Sequence, residues 1–324
     1  MGEKSKMTRM CFLKSLLLIV SLITMATLAA RRAHAGEINL PPQAAQALNE
    51  VYSGNPDAGI NTARSLEESD PRNPLGYTIE AEALWWKIYC ASCGIQWGMV
   101  DAWKGGKGAE ADTYLKLANK VIRLANAHLA NEDSAEMRLY AGMGWALEAR
   151  LYGLRGDHRK TAHSGVEARA QFVRALKLDP HMADAEVGLG LYNYYVDTLS
   201  PMLKFLRFFM GIPGGSKEEG MRQLQTGIDH GVVLPVVARF YLAKDLRTYD
   251  HRYKQALSIA QPLANDYPQN PIFLLLVGNL NAELGRNQAA ASNFRAALKL
   301  PDPGSACAPH IDKIATSLLA QISQ

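Results

Sequence analysis

Cysteine is scarce. The chain of 324 residues has four, and only Cys90, Cys93 and Cys307 follow residue 35. Three are too few for a disulfide framework. Charge of one sign is lacking as well. The chain has 35 basic and 31 acidic residues, but six of the basic ones and one acidic one fall within the first thirty-five positions. The remainder holds 29 against 30, a net charge of about −1, so nothing is left to draw in nucleic acid by neutralising its phosphates. Beyond residue 35 no apolar run approaches the roughly 20 residues of a membrane-spanning helix. No stretch alternates apolar and polar residues between turn signals, which excludes a sheet. A phosphate-cradling loop, a Gly-x-Ser-x-Gly nucleophile turn and a paired-carboxylate site are all missing. Gly188-x-Gly190 lacks a third glycine and a preceding strand, so it is no dinucleotide loop.

What is present begins with a leader. Lys4, Lys6 and Arg9 precede an apolar run from Ser15 to Ala30, and Ala33-His34-Ala35 has the small-x-small form of a cleavage site. Residues 1–35 are therefore expected to be a secretory signal peptide, with Gly36 as the mature N-terminus. Arg31 and Arg32 follow the run as a stop-transfer flank would, which keeps an uncleaved anchor as the other reading. Residues 36–324 form the folded domain.

That domain is repetitive. Ala168, Phe172, Ala175 and Pro180 are spaced four, three and five apart. The same offsets recur at Gly59, Ala63, Leu66 and Pro71, and at Ala256, Ala260, Leu263 and Pro268. Ala290, Phe294 and Ala297 keep them with Pro301 one residue early, and Gly220, Leu224 and Gly227 keep them without a proline. Residues three and four apart share one face of a helix. Small residues at the outer positions let a second helix approach, a larger one between them fills the gap, and the proline ends the helix. Gly190 and Gly278 each lie ten residues past a stopping proline, where close packing of the next helix needs them. The pattern predicts helix pairs at 42–52 with 58–68, 74–91 with 109–130, 134–154 with 161–178, 183–196 with 217–229, 234–247 with 253–265 and 272–284 with 288–300. A closing helix is expected at 310–322, because a terminal repeat must cover its last apolar face.

Asn270 to Pro301 resembles a complete tetratricopeptide repeat: Leu274, Val277, Gly278, Ala290, Phe294 and Ala297 fall on that family's motif positions, with Asn281 in place of the usual aromatic. Ala168 to Gly190 resembles the second helix of one repeat running into the first of the next. The resemblance implies an all-α fold, a right-handed superhelix of antiparallel helix pairs with about six pairs plus the closing helix. It also implies a concave inner face of the kind that binds a protein or peptide partner. The motif specifies a fold and hardly a ligand.

Two insertions break the period. From Gly190 to Gly220 the spacing is thirty, against twelve from Gly278 to Ala290. The extra segment, Ser200 to Ser216, opens a short helix with Pro201 and closes it with Gly211, Gly214 and Gly215. Met202, Leu203, Phe205, Leu206, Phe208, Phe209 and Met210 make it apolar nearly all round, with Lys204 and Arg207 between them. Such a helix is buried or bound to something. It plugs the inside of the superhelix, or it forms a ligand-pocket wall, a partner site or a peripheral membrane contact, with Met202, Phe205, Leu206 and Phe209 as its candidate contacts. Together with Gly220-Met-Arg-Gln-Leu224 the segment resembles the eukaryotic repeat-protein 39 and inclusion-body-clearance family over about thirty residues, a likeness that carries no function across. The second insertion, Gly94 to Gly108, sets Trp97 and Trp103 among glycines, as a binding loop would or as a loop pinned by aromatic packing.

Cys90-Ala-Ser-Cys93 is the one reactive-looking motif. It follows a helical run, and a helix C-terminus disfavours a thiolate. Residue 94 is glycine, not the histidine of a haem attachment site, and no second pair offers zinc its remaining ligands. A local Cys90–Cys93 disulfide is the leading reading in an oxidising compartment, ahead of two free thiols and a redox pair, and Cys307 is expected unpaired. The histidines past the leader show no ligand spacing. The sequence therefore points to no catalytic residue, no metal and no cofactor. It points to an exported, non-enzymatic scaffold of a bacterial envelope that recruits a protein or peptide in its groove. A periplasmic small-molecule carrier or transport accessory, with an apolar pocket near 200–216, is the alternative.

Overall fold

The computed structural model describes residues 38, 40–92, 109–209, 211–301 and 307–323. Fourteen helices occupy them, and no strand occurs among the described residues. They are α1 (Pro42–Tyr52), α2 (Pro56–Ser69), α3 (Pro74–Ser92), α4 (Ala109–Leu129), α5 (Ala135–Leu154), α6 (His158–Leu178) and α7 (Ala183–Thr198). There follow α8 (Pro201–Phe209), α9 (Lys217–His230), α10 (Pro235–Thr248), α11 (Tyr253–Asp266), α12 (Pro271–Glu283), α13 (Asn287–Leu298) and α14 (Cys307–Ile322). The expected helices are all present, with ends shifted by a few residues, and the insertion contributes α8.

Local chemistry explains the starts. Six helices open on a proline, whose missing N–H and fixed φ suit the first turn. Asn55, Ser134, Asp157 and Ser216 cap α2, α5, α6 and α9 by accepting a backbone N–H of the first turn.

Apart from α8, each helix packs on a neighbour along the chain, and the pairs α1/α2, α3/α4, α5/α6, α7/α9, α10/α11 and α12/α13 stack in order. This is a solenoid of the tetratricopeptide type. The repeat residues sit where their spacing puts them: Ala63, Ala168, Phe172, Ala175, Leu224, Ala256, Ala260, Leu263, Ala290, Phe294 and Ala297 are buried. At the α7/α9 crossing the two backbones nearly touch. A Cβ on Gly190 would lie 2.9 Å from the Gly220 carbonyl oxygen, and one on Gly220 would lie 2.7 Å from the Gly190 oxygen, so both positions need glycine.

The stack closes on itself. α14 packs on α13 and α12, and also on α3 near the other end of the chain. Trp86 of α3 meets Phe240 of α10 at 5.0 Å and Phe273 of α12 at 5.4 Å between ring centroids. Asn270 joins α12 to α1: its Oδ1 accepts the N–H groups of Ile272 and Phe273 as the α12 cap, and its Nδ2 donates to the Tyr52 carbonyl at 2.9 Å. α3 and α12 are consequently buried on almost every side. That explains why their sequences are apolar all round and not striped.

Glu67 of α2 gives this packing a pH dependence. Burial, then the hydrogen bond and negative charge of Glu80, push its carboxyl from the ordinary 4.5 up to about 8. The folded chain then holds a proton that the unfolded chain has already released. The stability that Glu67 contributes is therefore greatest below about pH 4.5, declines as the pH rises towards 8, and levels off above. Glu67→Gln should flatten that decline in melting temperatures taken from pH 5 to 8. A variant whose melting temperature falls as steeply as the parent's would show that Glu67 titrates normally.

Candidate functional site

The inner face comes first, since a repeat array is expected to bind there. α1, α3, α5, α7 and α10 turn side chains inward, and these fill the space. The cavity left among them is about 40 Å³, bordered by Tyr52, Glu82, Leu147, Arg150, Phe172 and Val237 among others. Sites for drug-sized ligands start at about 300 Å³. The groove that the resemblance offers a peptide is therefore occupied by the chain's own side chains. Its charged groups are engaged with one another, while the buried Tyr52 hydroxyl has no hydrogen-bond partner among the described residues. Arg150 Nη1 donates to Glu82 Oε2 at 2.7 Å, Trp86 Nε1 donates to Glu82 Oε1 at 2.9 Å, and the Arg150 guanidinium lies over the rings of Trp85 and Tyr241. Burial works against the Arg150 charge, but Glu82, Tyr241 and Tyr114 together outweigh it and hold the guanidinium firmly protonated. No described residue of 200–216 borders this cavity, so the apolar pocket expected there has no counterpart in it among the described residues.

α8 lies elsewhere. The expected interior plug is overturned: Met202 is 73%, Leu203 49%, Phe205 62%, Phe208 77% and Phe209 69% exposed. The reason is in the flanks. Tyr192 Oη donates to the Pro213 carbonyl at 2.7 Å, pinning the return strand of the loop to α7. Asp197, at the end of α7, accepts from Lys204 Nζ at 2.8 Å and from the Lys217 N–H at 3.0 Å. The Lys204 hydrogen bond, then that N–H, hold its carboxyl below the usual range. Lys217 Nζ in turn donates to Asp250 at 2.6 Å, and Asp250 accepts from Tyr194 Oη at 2.8 Å. Gly211, at φ +66°, ends α8 with its N–H on the Phe208 carbonyl. Both ends of the segment are thus tied to α7 and α9, and the polar side of α8 is the side that faces the protein. Its apolar arc has nowhere to go but outward.

Of the candidate contacts, Met202, Phe205 and Phe209 stand together on that arc, with Phe205 and Phe209 stacked at 4.6 Å. The side chain of Leu206 lies outside the described residues, as do Trp97 and Trp103. Leu203 and Phe208 belong to the patch too, and Phe208 is its most exposed member. The apolar run already contained them, and a helical wheel over 201–209 would have grouped them.

The cysteines differ from expectation. Cys90 is bonded to Cys307, with Cα atoms 5.0 Å apart and a sequence separation of 217. Cys307, expected unpaired, is the partner. α3 stays helical through Ser92. Cys93 itself lies outside the described residues.

No protein-family model matches the chain, and no curated protein matches it. Among solved structures, the chain is similar to a monomeric mutant of IFIT1 with Gppp-AAAA. The identity is 12% and the TM-score 0.29, over 77% of this chain and 47% of that one. The chain thus spans about half the length of the structure it matches.

Proposed function

We propose that the protein is an exported, non-enzymatic binding scaffold of a bacterial envelope, and that it engages its partner through α8 and not through its inner groove. The observation that carries this reading is the cluster of five large apolar side chains exposed on one helix held at both ends. A soluble monomer's largest apolar patch is often functional. Its own side chains leave the groove without room for a peptide, and the cavity is too small for the cargo of a carrier. The leader motivates export, and the Cys90–Cys307 bridge supports it, since structural disulfides persist in oxidising compartments.

The test is site-specific photocrosslinking in living cells. A crosslinker replacing Phe208 should give adducts, and the same crosslinker at Ser292, exposed on α13, should give none. Equal labelling at both positions would sink the reading. The mature chain from the same cells should begin at Gly36.

A further inference from the structure

We infer that the surface α8 docks on is an anionic lipid bilayer, with the helix lying in the boundary between headgroups and acyl chains. This rests on the reading of α8 as the docking element and names what it docks to.

Three observations select lipid over a protein surface. The first is angular. At about 100° per residue, Phe208, Phe205, Phe209, Met202 and Leu203 span an arc of about 220°, and Lys204 and Arg207 take the rest. A helix seated in a protein groove presents a stripe of roughly 100°. A groove that took the three phenylalanines, which lie within about 100° of one another, would leave Met202 and Leu203 in water, whereas acyl chains surround an inserted ridge on all its free sides. The second is area. Taking roughly 150–250 Å² for a whole large side chain, the exposed fractions leave on the order of 600 Å² of apolar surface. Two such ridges face to face would bury on the order of 1,200 Å² in all, the bottom of the range for a stable interface, so α8 against a second α8 is a marginal pairing. The third is charge. Residues 199–216 contain no acidic residue. Lys204, at the edge where the apolar arc meets the protein body, stays 38% exposed while paired with Asp197. That places a cation at headgroup depth when the ridge is inserted. Nine residues make a helix of about 14 Å, far short of the roughly 30 Å hydrocarbon core. No described helix is long and apolar enough to cross a membrane. The geometry is that of a helix lying in the interface.

The experiment uses the full chain with vesicles of phosphatidylethanolamine and phosphatidylglycerol. Every variant keeps the apolar 15–30 segment, so a difference between variants belongs to α8. Phe208→Trp should gain tryptophan quenching by lipids brominated on the acyl chain, beyond the quenching of the parent. Phe205→Ser/Phe208→Ser/Phe209→Ser should weaken vesicle binding by about tenfold or more while its melting temperature stays near the parent's, since these rings are mostly exposed and meet one another. Replacing phosphatidylglycerol by phosphatidylcholine should weaken parent binding by about fivefold; equal binding to both would overturn the anionic part. No added quenching, with vesicle binding unchanged in the triple variant, overturns the inference. If the parent then self-associates and the triple variant does not, a second copy is the occupant, and α8 remains the docking element. If the triple variant also leaves self-association and the Phe208 crosslinks unchanged, the proposed function fails with it.

Discussion

Reducing the Cys90–Cys307 bridge should cost the fold about 5 kcal/mol, near the top of the range for disulfides. The figure follows from the sequence separation of 217 between the two cysteines. Closing so long a loop removes much of the unfolded chain's freedom, and the cost grows with the logarithm of loop length. The bridge also holds α14 on α3, which no sequence-local contact does. Urea unfolding with and without a phosphine reductant, alongside Cys307→Ser, measures it. Reduced parent and variant should unfold at the same lowered midpoint, and protease should cut first near 302–323. A difference below about 1 kcal/mol, small for any native disulfide, would mean that the two ends of the stack are held without the bond.

Phe172→Ala should cost about 3–5 kcal/mol, as large-to-small core changes do. The ring is 2% exposed and lies between α5 and α7, against Gly142 on one and Gly188 on the other. A Cβ at either glycine would overlap the ring. Neither helix can relax inward to fill the void, because the groups facing it are backbone. A second substitution tests that account. Gly188→Ala alone should destabilise, since its methyl meets the ring. In the Phe172→Ala background the same methyl enters an empty space and should recover part of the loss, giving a coupling of about 1 kcal/mol or more. Strict additivity would mean that the ring is not seated on Gly188. Phe294→Ala belongs to the same class, and a loss below about 1 kcal/mol there would show the repeat phase to be misplaced.

The sequence revealed most where the physics is local. Helix type, the stopping prolines and the small-large-small spacing of Ala168, Phe172 and Ala175 depend on residues within a few positions of each other, and the structure places them as expected. What depends on distant partners was hidden. Asp184, near the start of α7, accepts the N–H groups of Val232, Val233 and Leu234 ahead of α10. Asn270 reaches the Tyr52 carbonyl from 218 positions away. No spacing rule announces either one. The disulfide was misassigned for the same reason: repeat periodicity describes how one unit meets the next, and is silent on where the last unit meets the first. For α8 the apolar composition was plain, but composition is the same for a plug and for an exposed ridge. Only the ties at Asp197, Tyr192 and Gly211 decide which way it faces.

An open array can gain or lose a unit by gene duplication, because each repeat answers only to its neighbours. A closed one must count. One more helix pair inserted between α3 and α14 would carry Cys307 away from Cys90 and Asn270 away from Tyr52, undoing both seams at once. The number of pairs is thereby locked, and novelty has to enter sideways, as material spliced between helices without lengthening the ring. The two departures from the period, 94–108 and 200–216, are additions of that kind.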